Sequence, residues 1–124
     1  MNRGQAAIYF LAQGLGVVIW WVLLLANPDW RAPFFSPNAD PIALSKFLVP
    51  DVVVMGGFSV AAGWLGLRRS PHRLSAALLA VGAVVYALAG ALAVNWPIGT
   101  RPWADLLMIG SVIGSVVAAR GSKK

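Results

Sequence analysis

The chain has 124 residues, of which 59% are hydrophobic and 11% charged, and its formal net charge is +6. Soluble domains carry about 25% charged residues, so this composition excludes an ordinary soluble fold and indicates a protein whose natural solvent is lipid. The absence of cysteine and the single histidine, His72, exclude disulfides, thiol chemistry, Cys- or His-rich metal sites and bis-histidine haem. We therefore expect no metal and no cofactor.

Four long apolar runs each predict a transmembrane helix. They cover residues 5–26, 51–67, 74–94 and 103–119. At about 1.5 Å per residue they measure roughly 25 to 33 Å, close to the hydrocarbon thickness of a bilayer. The first run is too long for a typical signal peptide and ends near Trp20 and Trp21, so we expect a retained helix. The sequence thus predicts a single all-α domain, an integral membrane bundle of four transmembrane helices.

The first run carries a polar and aromatic stripe. Its members are Tyr9, Gln13, Gly16, Trp20 and Asn27, which project within about 40° of one another on a helix. The third run has a similar face with Ser75, Gly82, Tyr86 and Ala93. Polar groups in lipid need partners, so both faces are expected to turn inward.

Two interpretations of these faces remain open. The simpler one is interhelical hydrogen bonding that only fixes the packing register. The alternative is an outward-facing ligand-binding cavity, lined by Asp51, Gln13, Asn27, Tyr9 and Tyr86.

The connection between the first two runs, residues 27–50, is rich in proline and aromatic residues and predicts a stiff outer cap. Within it, Asp40 can cap a helix with Pro41 at its first position. Residues 41–48 then predict one or two turns of interfacial helix that end at Pro50.

Two aspartates, Asp51 and Asp105, stand at the start of the second and fourth runs. A carboxylate in a first helical turn faces the positive end of the helix dipole, which explains both positions structurally. Ionisable groups at membrane depth also mark binding sites. Asp51 lies about a quarter turn from the small-residue stripe of its helix, so it could face a neighbouring helix. Asp105 lies nearly opposite the small-residue stripe of its own helix. Asp51 is therefore the better candidate for a site residue.

Small residues follow the second and fourth runs at helical spacing. The predicted packing positions are Gly56, Ser59, Gly63, Gly110 and Gly114. Small residues allow the close backbone approach by which helices associate in lipid. The sequence leaves open whether this packing occurs within the bundle or between subunits.

A weak internal repeat relates the two halves of the chain. "LAQG" in the first run matches "LAVG" in the third, and Asp-x4-Gly opens both the second and the fourth. This pattern predicts two duplicated helical hairpins, although chance similarity in an alphabet of Leu, Ala, Val and Gly is the rival explanation.

The basic residues predict orientation. Arg68, Arg69 and Arg73 lie in the 68–73 connection, and further basic residues lie near both chain ends. By the positive-inside rule, both termini and this loop are cytoplasmic, in a bacterial inner membrane. The basic residues flank apolar segments and form no basic face, which argues against a nucleic-acid partner.

The sequence contains no catalytic constellation, which favours a non-enzymatic protein. The favoured function is a helix-packing subunit or accessory module, with membrane lipid and a homo-oligomer or larger membrane complex as its partners. The alternative is a small transporter or ligand- or ion-binding protein whose cavity is centred on Asp51.

Overall fold

The computed structural model describes residues 1–31, 46–95 and 103–123. Every regular element in these residues is helical. The four long helices are α1 (Arg3–Ala26), α2 (Lys46–Leu67), α3 (Arg73–Asn95) and α4 (Trp103–Ser122). All four are long and apolar enough to cross a membrane, which confirms the predicted helix content and number of candidate spans. The predicted helix start at Asp40 and Pro41 lies outside the described residues.

The four helices form an antiparallel bundle in which α1 and α3 each pack against α2 and α4. Gly14 of α1 lies beside Gly56 of α2, whereas the earlier residue Ala7 lies beside the later residues Gly63 and Gly66. The two helices therefore run in opposite directions. We call the end that holds Ala26, Lys46, Asn95 and Trp103 the cap end. The end that holds Arg3, Leu67, Arg73 and Ser122 is the terminal end.

Two hydrophobic clusters form the core. The cluster at the terminal end surrounds Phe10 with alanines from all four helices, including Ala62, Ala77 and Ala118. The buried members of the cap-end cluster come from α1, α2 and α3, while α4 adds only the partly buried Met108 and Val112. The fourth helix has buried residues near both ends, with Ala104 and Asp105 at the cap end, and none over residues 106–114.

Close backbone approach is concentrated where α1 meets α2. A Cβ placed on Gly63 would lie 2.8 Å from the carbonyl oxygen of Ala7, and one on Gly14 would lie 2.9 Å from that of Gly56. Ser59 is fully buried on the same side of α2. These small residues thus serve packing inside the chain, in the manner typical of helices in lipid.

The two packing glycines predicted on α4 differ. Gly114 lies against the ring of Tyr9, so a side chain there would collide with it. Gly110 is exposed, and a Cβ on it would meet nothing within 4 Å. Within the described chain, therefore, Gly110 packs against no helix, and its predicted role in helix packing stays a prediction.

The boundary at Pro50, predicted as the end of an interfacial helix before a separate span from Asp51, is wrong, because residues 46–49 form the first turn of the second helix. That helix runs through this proline, with a π-helical segment over Pro50–Gly56 that continues into α-helix over Gly57–Leu67. A proline ring clashes with the carbonyl four residues earlier in a regular α-helix, and local π-type widening relieves such a clash. Residues 46–50, predicted as part of the outer cap loop, therefore belong to α2.

The predicted duplication remains a hypothesis. The second helix contains a π-helical segment over Pro50–Gly56, whereas α4 is α-helical from Trp103 onward.

The connection from α2 to α3 is a tight turn. The N–H of Ser70 donates to the carbonyl of Leu65 at 2.9 Å, and that of Arg69 donates to Gly66 at 3.2 Å. This pattern is a Schellman motif, in which the residue after the C-cap adopts the left-handed conformation. Arg69 occupies that position with φ 54°. Beside it, Arg73 Nε donates to the carbonyl of Ser122 at 3.0 Å and joins the turn to the end of α4.

Candidate functional site

A cavity of about 360 Å³ lies among the helices in the cap-end half of the bundle. All four helices contribute to its walls. Its lining consists of Tyr9, Ala12, Gln13, Gly16, Val17, Trp20 and Trp21 of α1, Phe47, Asp51 and Met55 of α2, Ala87 and Ala91 of α3, and Ala104, Leu107, Met108 and Ser111 of α4. The walls are therefore mainly apolar and aromatic, with few polar groups.

The cavity is open along the groove between α1 and α4. Ala12, Gly16 and Leu107 all line it and are exposed, Leu107 by 50%. The hydrogen bonds between these two helices lie nearer the terminal end, where Tyr9 and Gln13 contact α4. Leu107, Met108 and Ser111 line the cavity from the middle stretch of α4, which has no buried residue.

A hydrogen-bond network centred on Gln13 closes the terminal end of the cavity. The Tyr9 hydroxyl donates to Gln13 Oε1 at 2.8 Å, and Ser115 Oγ donates to the same oxygen at 2.9 Å. Gln13 Nε2 donates to Ser59 Oγ at 2.9 Å. Both serines are fully buried. One amide therefore joins α1, α2 and α4 at the point where the apolar walls give way to a polar floor.

The carboxylate of Asp51 occupies a different part of the cavity wall. Its Oδ2 accepts a hydrogen bond from the indole Nε1 of Trp21 at 3.1 Å. Trp21 is 6% exposed, and its ring belongs to the cap-end core cluster. Asp51 is the second residue of the π-helical segment, and such segments are frequent at functional sites.

The structure brings together three of the five residues predicted to line a cavity. Tyr9, Gln13 and Asp51 share it. Asn27 instead ends α1, where its backbone N–H and its side-chain amide both donate to the carbonyl of Leu23. Tyr86 lies on the outside of the bundle, with 59% of its surface exposed.

The inward orientation predicted for the third run is wrong. Ser75, Gly82, Tyr86 and Ala93 are all exposed. Alanines supply the buried face of α3 instead, including Ala76, Ala80, Ala83 and Ala87. Because alanine side chains are small, α2 and α4 can pack closely against this face of α3, whereas the bulky side chain of Tyr86 lies outside the bundle.

Sequence reasoning missed several residues of the site. Ser115 completes the Gln13 network, and Trp21 holds Asp51, but neither was assigned a role there. For Ser115 a signal existed, because Ser111 and Ser115 are four residues apart and so lie on one face of α4. Asp105 is 2% exposed in the first turn of α4 and does not line the cavity.

The arrangement can accommodate an apolar guest and offer it a carboxylate and aromatic rings. Among the described residues, no group of three His, Cys, Asp or Glu side chains is placed to hold a metal ion. No protein-family model, no curated protein and no solved structure matches the chain.

Proposed function

We propose that this chain is a membrane protein that binds a small, largely apolar molecule in the cavity between its helices, without altering that molecule chemically. The observation that carries the proposal is the cavity of about 360 Å³, with Asp51 in its otherwise apolar wall and the Gln13 network at its floor. Ligand sites in proteins are typically concave, about 300–1,000 Å³ in volume, and lined by apolar groups with a few well-placed polar ones.

The hydrogen bonds inside the cavity favour binding over catalysis. A general acid or base must reach the proton that it transfers. The Tyr9 hydroxyl and the Gln13 amide are engaged with each other and with Ser59, Ser115 and the backbone of Ser111. These groups form a fixed floor. Asp51 is the one charged side chain that the described lining residues offer to a guest.

The use of the small residues inside the chain supports the same choice. Gly14, Gly56 and Gly63 are occupied by contacts between α1 and α2, and Gly114 by the ring of Tyr9. These residues are therefore committed to building the bundle that encloses the cavity. They leave fewer positions for packing against another protein.

We place the chain in a bacterial inner membrane, with both termini and the 68–73 connection in the cytoplasm. The cap end then faces outward, together with the cavity. The clustering of Arg68, Arg69 and Arg73 in a short connection supports this orientation. The chain has no native cysteine, so single cysteines at Ser70 and Asn38 can be tested in intact cells with a membrane-impermeant maleimide. Labelling of Asn38→Cys with protection of Ser70→Cys is expected, and the reverse pattern would invert the orientation.

Binding can be tested with phenylnaphthylamine, a neutral probe whose fluorescence rises in apolar surroundings. The purified chain in detergent micelles should show saturable binding above the signal of empty micelles. Gly16→Phe should remove it, because Gly16 lines the cavity and has open space around its Cα. Gly110→Phe is the matched control, since Gly110 has equally open space but does not line the cavity.

Two results would count against the binding proposal. One is a parent chain that shows no saturable component beyond the micelles. The other is a Gly16→Phe variant that binds the probe as tightly as the parent.

A packing subunit or accessory module is the second candidate function. Gly82 on α3 and Gly110 on α4 are exposed and have no atoms within 4 Å of a Cβ position, so they could admit a partner helix in the membrane. Under this hypothesis, Gly82→Leu or Gly110→Leu reduces the oligomeric mass measured by light scattering in detergent. An unchanged mass for both variants would contradict it for a homo-oligomer.

A further inference from the structure

The described part of the cavity wall carries a negative formal charge. Among the described residues that line it, Asp51 is the only one with a formal charge. The basic residues nearest to the cap end in the described sequence, Arg31 and Lys46, do not line it, and Arg31 Nε instead donates to the carbonyl of Leu24. A carboxylate at membrane depth is costly unless it is paired or hydrogen-bonded.

The protein itself compensates Asp51 only partly. Within the described chain its carboxylate accepts a single hydrogen bond, from the neutral indole of Trp21, on Oδ2. The other oxygen, Oδ1, is left to whatever occupies the cavity. A guest with positive charge would supply the missing countercharge in a low-dielectric setting, where attraction between opposite charges is strong.

The aromatic residues of the wall also favour a positively charged guest. Tyr9, Trp20, Trp21 and Phe47 line one cavity together with Asp51. Aromatic faces attract organic cations, and aromatic walls are the usual means of recognising quaternary ammonium groups. Aromatic rings and a carboxylate thus favour the same guest, whereas an anion would be repelled by Asp51.

An inorganic cation fits this wall poorly. Hard metal ions take about six or more oxygen ligands. The oxygens of Gln13 and Tyr9 are already used in the network at the floor. Leu107, Met108 and the alanines of α3 contribute only apolar surface. The wall therefore matches a cation that carries its own apolar body.

We infer that the molecule bound in this cavity is an amphipathic organic cation, with its ammonium-type group at Asp51 and its apolar part against the aromatic and methionine side chains. This inference rests on the proposed binding function. The opening between α1 and α4, with Ala12, Gly16 and Leu107 at its edge, would face lipid in a membrane and gives such a molecule a route from the bilayer.

The test compares two probes of the same shape, benzyltrimethylammonium and its uncharged carbon isostere, neopentylbenzene. Each is titrated against the purified chain loaded with phenylnaphthylamine, and its displacement constant is corrected for partition into micelles. The measured quantity is the ratio of the two constants in the parent and in Asp51→Asn. The variant keeps the shape of the side chain and an oxygen acceptor for Trp21, so neopentylbenzene should bind it as it binds the parent.

We expect the preference for the cation to fall at least tenfold in Asp51→Asn. Asp29→Asn makes the same change of net charge at an exposed residue outside the cavity and should leave the ratio unchanged. A ratio that is the same within twofold in the parent and in Asp51→Asn would overturn the inference, yet leave the cavity as a binding site for apolar molecules. Failure of both probes and of phenylnaphthylamine to bind the parent would instead overturn the proposed function, and the inference with it.

Discussion

The indole N–H of Trp21 donates to the carboxylate of Asp51 across the interface between α1 and α2, at 3.1 Å. The bond joins a residue of the core to a residue of the cavity wall, since Trp21 is 6% exposed and Asp51 lines the cavity. It therefore fixes where the negative charge of the site lies. The same contact anchors the π-helical segment of α2 against α1.

This bond predicts an energetic coupling between the two residues. Interhelical hydrogen bonds in membrane proteins contribute about 0.6 kcal/mol on average and up to about 1.7 kcal/mol. A double-mutant cycle with Trp21→Phe and Asp51→Ala, measured by unfolding in SDS, should give a coupling energy in this range. Trp64→Phe combined with Asp51→Ala is the control, because Trp64 lies near the terminal end, beside Arg68. Coupling indistinguishable from that control would show that the bond has no energetic consequence.

The Gln13 network is predicted to stabilise the bundle. Gln13→Met keeps the approximate size of the side chain but removes the groups that bind Tyr9, Ser59 and Ser115. Because both serines are fully buried, loss of their partner should lower the free energy of unfolding by about 1–3 kcal/mol. Ser75→Ala, on the exposed face of α3, should change it by less than about 0.5 kcal/mol. Equal effects of the two variants would argue against a structural role for the network.

The contact between α1 and α2 is predicted to tolerate no side chain at Gly63. The Cβ of Gly63→Ala would lie 2.8 Å from the Ala7 carbonyl oxygen and 2.9 Å from the Leu11 nitrogen, so the two backbones must separate. Overpacking of this kind costs about 1–3 kcal/mol. Gly57→Ala is the matched control, because a Cβ there meets nothing within 4 Å, and alanine favours the helix by up to about 1 kcal/mol. Thermal unfolding in detergent should move the Tm in opposite directions, and a stabilised Gly63→Ala would contradict this packing.

The turn between α2 and α3 predicts a stabilising substitution. Arg69 holds the left-handed position of the Schellman motif with φ 54°, a conformation that costs a non-glycine residue about 1–2 kcal/mol. Arg69→Gly should therefore raise the free energy of unfolding by about 1 kcal/mol.

Arg68→Gly provides the control for this substitution. Arg68 has φ −74° and also packs its guanidinium 4.5 Å from the centre of the Trp64 ring. The Arg68→Gly variant loses the same positive charge as Arg69→Gly but relieves no backbone strain, so its free energy of unfolding should fall. If both glycine variants were destabilised alike, the backbone strain at Arg69 would not explain the change in the free energy of unfolding.

Composition and helical period alone determine the parts of this protein that depend on one helix at a time. Long apolar runs specify four helices whatever their neighbours. The stripe on α1 predicts that Tyr9 and Gln13 share one inward face, because polar groups in lipid need partners. The same reasoning identified the small residues Gly56, Ser59 and Gly63, which lie at the contact with α1.

Only the tertiary structure decided which faces of α3 and α4 turn inward. In a membrane helix, lipid and protein interior are equally apolar, so alanine, leucine and valine do not distinguish the buried side. Helical spacing therefore predicts the same inward orientation for Tyr86 as for Tyr9, yet Tyr86 lies outside, while Ala83 and Ala87 pack inside. The continuation of α2 through Pro50 was also decided by the tertiary structure, because the π-helical segment packs against α1 and α3, and local adjustments of this kind accommodate a proline within a membrane helix.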